Sequence, residues 1–313
     1  MPQLGLGTWR SQPGEVGQAV EDAIRAGYRH LDLAKIYGNQ KEIGEALKRV
    51  VPSVVKREDL FITSKLWNTF HKPEDVLPAL QDTLDELGLD YIDMYLSHWP
   101  VAFDGSSGEL RPAKDGKAVL DLDTPFADTW KAMIELKKTG KVKSIGVSNC
   151  RTDIIDGIAK ATGVYPATNQ IEAHPLLPQD DLVKHHKEHN ILITAYAPLG
   201  SSPPGRDRLL IQEPLVEEIA KECGADAGQV LLAWGVRRGY AVIPKSVTKS
   251  RIESNFQQIS LTDEQFDRIS SLCKKLGGPI RFFTPYGNFQ PLWDMNVFNE
   301  PAEQAATHQI RVV

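Results

Sequence analysis

Gly27-Tyr28-Arg29-His30-Leu31-Asp32-Leu33-Ala34-Lys35-Ile36-Tyr37 reads as a helix stop, a short apolar strand, and then a carboxylate at Asp32 and a phenol at Tyr37. Two later segments close in the same way. Leu60-Phe61-Ile62-Thr63-Ser64 runs into Lys65, and Tyr91-Ile92-Asp93-Met94-Tyr95-Leu96-Ser97 runs into His98. Three successive strands thus deliver Asp, Tyr, Lys and His at their carboxyl ends, where a parallel α/β sheet gathers its ligand site. A phenol, an ammonium, an imidazole and a carboxylate in one place point to proton transfer.

Outward from this stretch the chain keeps one rhythm. Residues 15–26 carry Val16, Ala19, Val20, Ala23 and Ile24 at helical spacing, ended by Gly27. Helical patterns recur near 40–49, 73–87, 125–138, 153–161, 180–189, 214–223, 227–238 and 249–257. Thr262-Asp263-Glu264-Gln265 is a capping box that opens one more helix. Strand patterns lie between them at 142–147, 167–171, 191–195 and 241–243. Strand–helix alternation means a parallel sheet. Eight units with two spare helices fit a (β/α)8 TIM barrel of one domain over 1–313, with long loops at its C-terminal face. A doubly wound sheet would carry a glycine-rich turn after its first strand, and Gly5-Leu6-Gly7-Thr8-Trp9-Arg10 lacks the third glycine.

Composition narrows the function. The 313 residues carry a net charge of −5, which offers no footprint for a nucleic-acid backbone. No apolar run approaches the roughly 20 residues of a membrane span, and the first residues lack the basic and apolar regions of a signal peptide. A cytoplasmic protein without membrane or nucleic-acid partners, a monomer or weak dimer, is therefore expected. The three cysteines, Cys150, Cys223 and Cys273, form no metal or disulfide pattern. His185, His186 and His189 read as the solvated face of a polar helix despite the metal-compatible spacing of His185 and His189, so no metal is expected.

The motifs together resemble the aldo-keto reductases along nearly the whole chain. They stand in that family's order: Leu4-Gly5-Leu6-Gly7-Thr8-Trp9, the Asp32–Tyr37 segment, Thr63-Ser64-Lys65-Leu66-Trp67-Asn68 and Ser97-His98-Trp99-Pro100. Gly146-Val147-Ser148-Asn149, Asn169-Gln170-Ile171-Glu172, and Ile243-Pro244-Lys245-Ser246 with Arg251 and Asn255 follow. The resemblance implies an oxidoreductase that reduces aldehydes, ketones or sugar aldehydes such as glyceraldehyde with NADPH. Tyr37 is then the general acid, Lys65 a charge that eases release of its proton, Asp32 the partner that holds Lys65, and His98 the donor that orients the carbonyl. The same residues serve a polyol or alcohol dehydrogenase running in reverse, while a non-catalytic NADPH-binding subunit is the reading from another class.

The resemblance also assigns the cofactor NADPH/NADP+ its contacts. Ser148, Asn149 and Gln170 hold the carboxamide, and Tyr196 stacks on the nicotinamide. Leu199 and Ser201 meet the pyrophosphate, and Lys245, Ser246 and Arg251 meet the 2′-phosphate. Asn255 meets adenine, and Thr8, Trp9, Asp32 and Val247 complete the set. For the carbonyl substrate it implies Trp9, Trp67, His98 and Trp99, with Phe282 and Trp293 from a tail, residues 278–313, folded over the barrel mouth opposite the loop 100–124. Departures from the family pattern are Ala197 for serine, Pro203-Pro204-Gly205 in place of an acidic latch, and Gln40 for the glutamate that often follows Asn39 near adenine.

Overall fold

The amphipathic pattern at residues 15–26 becomes helix α1 (Val16–Ala26), whose buried stripe is Val16, Ala19, Val20, Ala23 and Ile24. Gly27 ends it at a φ of 112°, where its missing side chain also matters: a Cβ there would lie 2.7 Å from the Phe256 ring. That stop turns the chain into the strand carrying Asp32. The computed structural model describes residues 1–200 and 208–313.

Eight parallel strands follow in sequence order: β1 (Leu6–Gly7), β2 (His30–Asp32), β3 (Phe61–Leu66), β4 (Ile92–Ser97), β5 (Val142–Ser148), β6 (Thr168–Glu172), β7 (Leu192–Tyr196) and β8 (Ala241–Val242). Leu4 and Gly7 bridge to Val242 and Lys245, and Gly5 N–H donates to the Val242 carbonyl at 2.9 Å, so the sheet closes on itself. The closure needs Gly7, because a Cβ there would stand 2.8 Å from the Ile243 carbonyl oxygen. The fold is the (β/α)8 barrel the alternation implies.

The barrel helices after α1 are α2 (Gln40–Val50), α3 (Pro73–Leu87), α4 (Phe126–Leu136), α5 (Thr152–Thr162) and α6 (Asp180–Glu188). Next come α7 (Pro214–Cys223), α8 (Ala227–Arg237), α9 (Lys249–Phe256) and α10 (Asp263–Ser270). Helices α7 and α10 stand outside the alternation, where the sequence reading counts two spare helices. Thr262 caps α10 with the reciprocal Gln265 bonds of a capping box. No helix among the described residues is long and apolar enough to cross a membrane.

Two long segments cover the carboxyl ends of the strands. The loop 100–124 is more ordered than a plain loop: Ala113–Lys114 and Lys117–Ala118 pair as a small antiparallel hairpin. Leu292 of the tail bridges to Lys117. The tail then descends the barrel wall, where the Arg311 and Val312 carbonyls accept the free N–H groups of Phe126 and Ala127 at the start of α4 (2.9 and 2.8 Å).

The histidines of α6 are not one solvated face. His186 is fully buried, its Nε2 accepting from Asn169 Nδ2 at 3.0 Å. The helical turn points it at the barrel while its neighbours point outward. Burial lowers His30 to about 4, His71 to about 3 and His186 to about 4. Unfolded histidine titrates near 6.5, so in acid the unfolded chain takes up protons that the folded one refuses. Stability is therefore full above about pH 6.5 and drains as pH falls toward the folded values, by on the order of 2 kcal/mol per ring by about pH 4.5. Urea unfolding at the two pH values should show a lower midpoint in acid. A midpoint that holds or rises would mean these rings are not buried neutral.

Candidate active site

Asp32 ends β2, Lys65 lies near the end of β3 and His98 follows β4, with Tyr37 closing a 3-10 turn, Lys35–Tyr37, just beyond Asp32. Parallel pairing in register brings these strand ends to one floor. The Lys65 ammonium, wholly buried, spends its three protons on Asp32 Oδ2 (2.7 Å), the Leu33 carbonyl (2.8 Å) and Tyr37 Oη (3.3 Å). An ammonium only donates, so the Tyr37 oxygen accepts from it. Its own hydrogen is left free to point into the cavity above.

That cavity, of about 790 Å³, opens at the barrel mouth. Thr8, Trp9, Asp32, Tyr37, Trp67, His98, Trp99, Ser148, Asn149, Gln170, Tyr196, Leu199, Lys245 and Trp293 line it. His98 sits edge-on to Tyr37, ring centres 5.8 Å apart, and its Nδ1 is buried without a hydrogen-bond partner. Burial, reinforced by the Lys65 charge, holds His98 well below the usual histidine range, so the ring is neutral.

The phenol differs from the expectation. Burial raises Tyr37 well above the ordinary tyrosine value, and the charges of Asp32 and Tyr196 push the same way. Lys65 cannot reverse this, because burial lowers its own pKa and its charge is already countered by Asp32 at 2.7 Å. Tyr37 therefore rests as a neutral acid, with the ammonium ready beside it for whatever negative charge develops.

One wall is a chain of polar contacts. Tyr196 Oη donates to Asn149 Oδ1 (2.8 Å), Asn149 Nδ2 to the His98 carbonyl (3.0 Å) and Ser148 Oγ to the Gln170 carbonyl (2.8 Å). Gln170 Nε2 donates to Asp32 Oδ1 at 2.7 Å. Its Oε1 has no partner among the described residues and can accept from a ligand amide. Thr8 Oγ1 fastens the Asp32 carbonyl at 2.8 Å.

A second cluster starts where β8 gives way to α9. Lys245, Lys249 and Arg251 have no carboxylate partner among the described residues, and Thr248 leaves the first turn of α9 without a side-chain cap. Free cations beside free helix N–H groups suit a phosphate monoester. The residues present thus fit a phosphorylated dinucleotide, with an amide acceptor at one end and unpaired cations at the other. Ser246 turns inward, its Oγ accepting from Thr248 N–H at 3.1 Å, and Val247 packs on the core. Asn255 is buried on α9 near Gly228. Ser201 and Pro203-Pro204-Gly205 lie outside the described residues.

One placement departs from the sequence reading. Phe282 faces away from the cavity, buried and stacked on His174 at 4.6 Å, and Phe283 takes its place, 5.3 Å from Trp9 and 5.9 Å from Tyr196. Gln40, which stands where the family often has a glutamate near adenine, is buried, accepting from Ser64 Oγ (2.6 Å) and donating to Glu86 Oε2 (2.9 Å).

Sequence reasoning missed Glu172. This fully buried carboxylate accepts the Phe282 and Phe283 N–H groups at 2.7 and 3.0 Å and pairs with His174 Nε2 at 2.9 Å. It fastens the tail where Phe283 meets Tyr196. Its place at the end of β6, one strand-end like those of the catalytic candidates, is the signal that marks it. Arg10 and Arg111 also line the cavity without having been singled out.

Comparison with known proteins places this geometry. The sequence model of the aldo/keto reductase family matches residues 3–274. D/L-glyceraldehyde reductase of Hypocrea jecorina is 49% identical over 317 residues, covering 98% of this chain and 94% of that protein. Aldo-keto reductase family 1 member A1 of Bos taurus is 44% identical over 91% of this chain and 89% of its own. Among solved structures, the aldose reductase of Schistosoma japonicum superposes with a TM-score of 0.84 at 44% identity over 91% of each chain. That of Giardia lamblia superposes at 0.88 with 40% identity, over 95% of this chain and 98% of the other.

Proposed function

This chain belongs to the aldo/keto reductase family of oxidoreductases, and from that premise we propose that it reduces small aldehydes, glyceraldehyde among them, to alcohols with NADPH. The observation that carries the reading is the Tyr37 hydroxyl, its oxygen held by Lys65 and its hydrogen free toward the cavity. When bound, the reduced nicotinamide supplies hydride to the carbonyl carbon. Every other part of the reaction falls to the protein.

Tyr37 gives its proton to the carbonyl oxygen, and the phenolate left behind lies 3.3 Å from the Lys65 ammonium. Asp32 keeps that ammonium charged against its burial. The neutral His98, with Nδ1 unpartnered, carries its proton on Nε2 and donates to the carbonyl oxygen, fixing which face is presented. Tyr196, Asn149 and Gln170 orient the nicotinamide, while Trp9, Trp67, Trp99, Phe283 and Trp293 enclose the substrate and exclude water. Because Tyr37 is raised and His98 depressed, neither titrates near neutrality. Reduction should then be level from about pH 6 to about pH 9 as far as these groups decide it.

Lys245 and Arg251 set the preference for the phosphorylated cofactor. Arg251→Ala removes a planar charged donor to the 2′-phosphate and should weaken NADPH by about 10- to 100-fold while leaving NADH nearly unchanged. Fluorescence titration with both cofactors checks this. Equal losses for the two would remove Arg251 from the 2′-phosphate.

A further inference from the structure

Asp156 on α5 reaches two histidines that stand one turn apart at the C-terminal end of α6, on the outer wall of the barrel. His185 Nε2 lies 2.9 Å from Asp156 Oδ1, and one donor atom from each of Asp156, His185 and His189 falls within 4.8 Å of the other two. His189 Nδ1 is 2.9 Å from the His185 carbonyl oxygen. A carbonyl only accepts, so the proton is fixed on Nδ1 and Nε2 keeps its lone pair. Metal-binding histidines are commonly oriented in this way, by donating the other ring N–H to a backbone carbonyl. Tyr165 braces the His189 ring at 4.6 Å. None of these residues lines the active-site cavity.

We propose that Asp156, His185 and His189 form a site for a divalent transition-metal ion, zinc in its chemistry, that ties α5 to α6. Two imidazoles and one carboxylate are the borderline donor set zinc accepts, and three protein ligands leave a fourth position for water. Calcium and magnesium, which take oxygen ligands, do not match it. His186 is not a fourth ligand. Asn169 Nδ2 donates both to the Cys150 carbonyl (2.8 Å) and to His186 Nε2 (3.0 Å), so that ring is held on the inner side of the helix.

The donors must draw together for binding, since bonds of about 2.0–2.1 Å in a tetrahedron set ligand atoms roughly 3.3 Å apart. Asp156, already 2.9 Å from His185, and His189 share that movement. The Asp156 side chain is 51% exposed, and its hydrogen bond to His185 is one that the ion replaces. His186 accepts from Asn169 at Nε2 and so carries its proton on Nδ1, 3.4 Å from His185 Nδ1. Presenting the His185 Nε2 lone pair to an ion therefore requires that ring to take its proton on Nδ1 and turn it away from His186.

The test is isothermal titration of ZnCl2 into the full chain freed of any affinity tag, beside Asp156→Asn and His189→Ala. Wild type should show one saturable site, weakened about tenfold or more in each variant, with a zinc-dependent rise in Tm that the variants lose. Both variants should keep wild-type reductase turnover. Absence of saturable binding to wild type overturns the site. So does equal affinity in wild type and His189→Ala, which would put the zinc on another group.

Discussion

Tyr37→Phe should lower aldehyde turnover by on the order of 10²- to 10⁴-fold and leave NADPH binding nearly intact. The substitution removes one oxygen and little volume, so the ring keeps its edge contact with His98 and its place near Trp9. What vanishes is the proton donor on the cavity floor, together with one of the three acceptors of Lys65. Because burial holds the phenol protonated, the loss should be equally deep at neutral and mildly alkaline pH. A variant that keeps near-normal turnover would mean that water or His98 supplies the proton.

Lys65→Met should fail in two distinguishable ways. Activity falls because nothing remains to balance the phenolate as Tyr37 gives up its proton. Stability falls too, by about 3–5 kcal/mol, because Asp32 becomes a buried carboxylate without its counter-charge. The remaining Gln170 Nε2 donor, 2.7 Å from Oδ1, offsets only part of that. Combining Asp32→Asn with Lys65→Met removes both charges and should restore most of the stability while activity stays lost. Denaturant unfolding and turnover measured on the single and double variants separate the two effects. Recovery of both together would make the pair a structural element and not part of the proton-transfer machinery.

The barrel was legible because each strand ends in a recognisable break and each helix carries its stripe, as Gly27 after α1 and the Thr262–Gln265 box before α10 illustrate. Asp32, Lys65 and His98 were legible for the same reason, since strand ends converge whatever the loops do. Phe282 and Phe283 were not separable: adjacent residues in an irregular tail point opposite ways, and the Glu172 bonds to both N–H groups decide which ring enters the cavity. His186 escaped because a polar helix with three histidines looks solvated until the packing of α6 shows one facing Asn169. The state of the Tyr37 phenol was misread because sequence brings Lys65 and Asp32 beside it but does not show that the ring is buried, the larger effect on its proton.

The central claim is that the cavity performs carbonyl reduction with the phosphorylated cofactor. NADPH oxidation in the presence of glyceraldehyde, followed by the cofactor's absorbance with the purified chain, tests it most directly. The account predicts saturable turnover with NADPH, far weaker turnover with NADH at the same concentration, and turnover lowered by on the order of 10²- to 10⁴-fold in Tyr37→Phe. Tight NADPH binding without turnover on glyceraldehyde or any other aldehyde would contradict it.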